Sequence, residues 1–147
     1  MKDRYESPLA SRYASDDMLQ RFSPDMRFET WRRLGVSLAK AQHTLGLPVT
    51  QEQVDELAAH VSPIDYDLVA AKEKELRHDV MAHIYAFGAA APGAKGIIHL
   101  GATSCYVTDN ADLVLYRDAL VYLRGQLEQV MVQLADFADR YAALPCL

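Results

Sequence analysis

From Leu113 to Tyr141 the large apolar residues fall at alternating steps of three and four. Leu113, Tyr116, Leu120, Leu123, Leu127, Val130, Leu134, Phe137 and Tyr141 keep this rhythm without a miss. A 3.5-residue period is the mark of a helix that buries a narrow seam against other helices. At 1.5 Å per residue the run spans roughly 43 Å. A helix of that length overhangs any globule that 147 residues can make, so it calls for partner helices. Leu144-Pro145 ends the run, and no returning helix follows it. An oligomer or a piece of a longer protein is therefore expected.

The rest of the chain is helical as well. Ser23-Pro24-Asp25 pairs a cap with proline at the first helical position, and Trp31, Leu34, Leu38, Ala41 and Leu45 follow on one face. This predicts a helix over 24–45, stopped by Gly46 and Pro48. Thr50 with Gln53 reads as a capping box for a short helix over 51–60, broken at Ser62-Pro63. A further helix is expected over 66–88, with Leu76, Val80, Ile84 and Phe87 on one side. Residues 1–22 are polar and mixed and read as an extended arm. No strand period appears, so the class is all-α: a helical domain over 1–107, then the first long helix of a bundle over 108–147.

Charge and cysteine content narrow the function. The net charge is −5, so the basic footprint of a nucleic-acid binder is missing. No apolar run is long enough to span a membrane, and "MKDRYESPLASRYAS" has no signal-peptide core. Cys105 and Cys146 form no CxxC pair and read as free thiols of a reducing, cytoplasmic compartment.

Three stretches could carry chemistry. "ELRHDVMAH" groups Arg77, His78 and Asp79. This is either a solvated helix face or an anion site in which Asp79 sets the histidine tautomer. His83 falls back on the apolar stripe and reads as a hydrogen-bonded core histidine. The two histidines lie about 140° apart around a helix, a poor metal pair, and no other metal spacing occurs. "GIIHLGATSCYVTDN" sets Thr103 and Ser104 behind Gly101, before the long helix. One hydroxyl could cap the helix; two could instead hold a carboxylate or phosphate at its N-terminus. "SPLASRYAS" offers Arg12 beside Tyr13, either a solvated tail or a phosphate grip.

In this order, and with the helix "TWRRLGVSLAKAQHTLGLP", the three motifs closely resemble the N-terminal part of the adenylosuccinate lyases, of the fumarase/aspartase superfamily. The resemblance runs from about residue 4 to 147. It implies elimination of fumarate from adenylosuccinate to give AMP, and from the succinylated aminoimidazole carboxamide ribotide. It implies a homotetramer and a purine nucleotide substrate, with neither metal nor organic cofactor. Arg12 and Tyr13 then look like phosphate contacts. Arg77, His78 and Asp79 look like a substrate-binding trio, and Thr103 and Ser104 look like ligands of a succinyl carboxylate. The family's histidine acid, in a "THxQPAQ"-type motif, and its serine base are expected beyond Leu147, so no catalytic proton-transfer group is assigned here. The alternatives are a non-catalytic interaction module, or another superfamily lyase such as argininosuccinate lyase. The wording of "RHDVMAH" and "GATSCYVTDN" argues against the latter.

Overall fold

The computed structural model describes residues 5–145. Six α-helices, and no strand among the described residues, make the chain all-α: α1 Asp16–Arg21, α2 Pro24–Thr44, α3 Gln51–Ala59, α4 Tyr66–Leu76, α5 Asp79–Ala90 and α6 Ser104–Tyr141. A wide π-type turn, Leu9–Tyr13, precedes them, and a 3₁₀ turn, Pro92–Ala94, follows α5.

The capping residues start the helices as their chemistry requires. Ser23 Oγ accepts the Met26 N–H with Pro24 in the first turn. Thr50 and Gln53 close a reciprocal capping box. Ser15 and Asp65 cap α1 and α4. Gly46, at φ 77°, turns the chain out of α2 in a conformation that costs glycine nothing.

Two expectations need correction. Residues 16–21 are helical rather than an extended arm, because Ser15 supplies a cap and Asp16 and Asp17 favour the positive end of the helix. Ser15 Oγ is also 3.0 Å from Tyr122 Oη, and the Arg21 guanidinium lies 5.0 Å from the Tyr122 ring centroid, so α1 packs on α6. The helix expected over 66–88 is two helices. Arg77 adopts a left-handed backbone, φ 53°, and ends α4, and the extended His78 then starts α5, which runs on to Ala90. Leu76, in α4, therefore does not share one helical face with Val80, Ile84 and Phe87 of α5.

Helix α5 is the hub. Its Val80 packs with Trp31, Val107 and Ala111, joining α2, α5 and the start of α6. Phe87 joins α2, α3 and the following loop through Ala39, Leu57 and Ile97, and Ala82 and Ala86 receive Val69 of α4. Arg32 ties the α3–α4 loop down: its buried Nη1 donates to the carbonyls of His60 (2.8 Å), Val61 (3.3 Å) and Pro63 (3.0 Å). Such a guanidinium keeps three loop acceptors paired where water is scarce.

Helix α6 begins at Ser104, and its first four turns bury Val107, Ala111, Leu115 and Ala119. Beyond that it leaves the core. All nine seam residues are exposed, Leu120 by 65% and Leu127 by 60%. No helix among the described residues is long and apolar enough to cross a membrane.

Candidate functional site at two helix N-termini

Residues Val80 and Val107 pack in one cluster, two residues into α5 and four into α6. The two helix starts thus lie on the same part of the core. Val80, Val107, Trp31, His83 and His99 line a cavity of about 30 Å³ beneath them, the room of about one water molecule. Each start carries the positive end of a helix dipole.

At the start of α5, His78 occupies the cap position, and its Nδ1 accepts the Met81 N–H at 3.4 Å. Asp79 Oδ1 lies 3.6 Å from the same nitrogen and accepts the Val80 N–H at 2.8 Å. Arg77 is exposed just before them. At the start of α6, Thr103 holds the cap position and Ser104 the first helical one. The cap-position side chains of α1 through α5 each accept a backbone N–H; that of α6, the longest helix, does not. Among the described residues neither the Thr103 nor the Ser104 hydroxyl has a hydrogen-bond partner. Gly101, at φ 72° with open space where a Cβ would stand, turns the chain into this start.

Sequence reasoning passed over His99. Its backbone is left-handed, φ 63°, and its pKa is lowered, first by burial and then by the neighbouring His78. Arg77 and His99 are the two non-glycine residues with positive φ among the described residues, and they flank this cluster. Such conformations cost of order 1–3 kcal/mol and collect at functional sites. A histidine between "GII" and "LG" gives no hint of that strain in sequence.

The structure does not bring Arg12 and Tyr13 into the cluster within one chain. Both are exposed in the π-type turn, close to Ser15, which meets Tyr122. Tyr122 is eighteen residues beyond Ser104, about 27 Å along α6. Cys105 is exposed and unpaired, and Cys146 lies outside the described residues. Among the described residues no group of three His, Cys, Asp or Glu side chains could hold a metal ion.

His83 is buried, as a core histidine should be, but its neighbours are aromatic. It stacks on Phe28 with centroids 3.8 Å apart and meets the Trp31 ring edge-on at 5.3 Å. Burial, and secondarily Arg32, push its pKa down to about 4. Above the unfolded value near 6.5 both folded and unfolded states hold a neutral ring. As the pH falls from there to about 4, only the unfolded chain takes the proton, so stability is lost across that window. The loss should reach about 3 kcal/mol, from 1.36 kcal/mol per pKa unit. Urea unfolding at about pH 7 and about pH 4.5 should show it in the wild type, and His83→Phe should flatten this part of the profile. An unchanged profile in His83→Phe would assign the acid sensitivity to other groups.

Two helix starts converging on one histidine-bearing face of an all-helical framework suit an anionic ligand. No family model matches the chain. Its sequence is 49% identical to the adenylosuccinate lyase of Schizosaccharomyces pombe over 146 residues, covering 97% of this chain and 30% of that protein. It is 49% identical to that of Saccharomyces cerevisiae (99% and 31%) and 43% identical to that of Schistosoma mansoni (99% and 30%). The chain belongs to the adenylosuccinate lyase family. It spans about 30% of the length of the curated relatives it matches.

Proposed function

We propose that this chain is the part of an adenylosuccinate lyase that holds the substrate's anionic groups, in an enzyme that eliminates fumarate from adenylosuccinate to give AMP. The same reaction would act on the succinylated aminoimidazole carboxamide ribotide. The observation that carries the reading is the uncapped start of α6: Thr103 and Ser104 stand where a cap belongs, and neither hydroxyl is used. A carboxylate has two oxygens, and two hydroxyls with free backbone N–H groups match it. Electrostatic stabilisation of the dianionic intermediate formed on loss of the Cβ proton is the term such donors would supply. In this reading His78 with Arg77 and Asp79 flanks the reacting end. Arg12 and Tyr13, far along α6, take the phosphate of a substrate bound at another subunit's cluster in a homotetramer. The residues before Ser104 then form the site-bearing domain and α6, Ser104–Tyr141, the first bundle helix, in a cytoplasmic enzyme that needs neither metal nor organic cofactor.

The sequence holds no "THxQPAQ"-type motif and no Ser-rich signature loop. The isolated chain should therefore release no fumarate from adenylosuccinate. A general acid and a general base each contribute about 10²–10⁴-fold. Fumarate formation followed by absorbance tests this, and a rate near that of a complete lyase would contradict the reading. The second reading, a non-catalytic interaction module, draws on the exposed seam of α6. Mixing the chain with a complete lyase and titrating it with adenylosuccinate by calorimetry separates the two: the module binds nucleotide weakly or lowers the activity of the complete tetramer.

A further inference from the structure

We propose that the Met81 backbone N–H fixes His78 as its Nε2–H tautomer, so that this histidine faces its ligand as a hydrogen-bond donor and not as a base. The ligand is that of the function proposed above; the tautomer itself stands on local geometry. His78 is the cap of α5, with extended backbone at φ −152°, and its Nδ1 accepts the Met81 N–H at 3.4 Å. A ring nitrogen that accepts carries a lone pair, so the proton of the neutral ring sits on the other nitrogen.

Asp79 pulls the other way. Its Oδ1 is 3.6 Å from Nδ1 and would favour a proton there. Two features decide against it. That oxygen already accepts the Val80 N–H at 2.8 Å, and 3.6 Å is beyond hydrogen-bond range. A proton on Nδ1 would also point at the Met81 N–H and at the positive end of α5. Asp79 therefore serves its own helix start, and the tautomer is set by the backbone.

The consequence for chemistry is specific. The His78 side chain is 45% exposed, so the far edge of the ring remains open to a ligand. With Nε2 protonated, His78 can give a hydrogen bond to a carboxylate or phosphate oxygen, while its one basic lone pair, on Nδ1, is turned to the Met81 N–H and away from the ligand. Its role is binding and charge stabilisation.

The test is the nitrogen spectrum of the ligand-free chain labelled at histidine, recorded above the pH range of histidine protonation. The His78→Asn variant assigns the His78 signals by their disappearance. The expected result is a bare Nδ1 and a protonated Nε2. A protonated Nδ1 overturns the proposal. A second measurement is thermal melting of two variants. Asn puts its side-chain oxygen where Nδ1 stands, so His78→Asn should melt near the wild type. His78→Ala should melt lower by about 1–8 °C, the range of a lost cap in a chain of this size. Equal melting of the two variants would mean that Nδ1 does not cap α5, and that also overturns it. Both measurements omit ligand, so failure to bind nucleotide would count against the proposed function alone.

Discussion

Thr103→Val with Ser104→Ala, placed at the corresponding positions of a complete adenylosuccinate lyase, should lower turnover by about 10²–10³ for each donor lost, or about 2.7–4 kcal/mol per donor. The melting temperature should barely move. Were either hydroxyl a cap, its loss would cost about 0.5–2 kcal/mol of stability and leave turnover per folded enzyme near wild type. The structure makes these alternatives unequal, because the cap position of α6 makes no side-chain cap bond while those of α1–α5 do. Recording melt and turnover on the same preparations decides the matter. A depressed melt with intact turnover would reduce both hydroxyls to structural residues.

The second large effect is on association. The isolated chain should self-associate at about 10 µM and above, a free energy near −7 kcal/mol. Its nine seam residues expose a stripe longer than monomers normally carry. Leu120→Lys with Leu127→Lys should return it to monomer in light scattering. Both leucines are largely exposed, so their replacement should leave the fold in place, as helicity by circular dichroism would check. A clean wild-type monomer at that concentration would show that the seam does not drive association.

The long period of α6 was legible in sequence because one spacing rule governs nearly 30 residues. The starts of α2 and α3 were legible because Ser23-Pro24 and Thr50 with Gln53 are local chemistry. The break between α4 and α5 was not. It contains neither glycine nor proline, and Arg77 ends α4 in a left-handed conformation that an arginine does not announce in sequence. His78 as a helix cap was hidden for a related reason, since histidine is not among the usual capping residues. The candidate site was legible as three motifs, yet their grouping was not. Val80 and Val107 bring two motifs together, while Arg12 and Tyr13 remain some way along α6. His99 was invisible because its signal is a backbone angle.

One helix, α6, begins at the uncapped hydroxyls and carries the seam outward from the core. From Ser104 to Tyr141 it is unbroken, about 55 Å of a single stiff rod. A change in tilt or axial rotation at one end therefore reappears at the other. If a neighbour on the seam favours the rod orientation that a bound anion also favours, the two equilibria are linked. Whatever factor the neighbour adds to ligand affinity, the ligand must add to the neighbour's affinity.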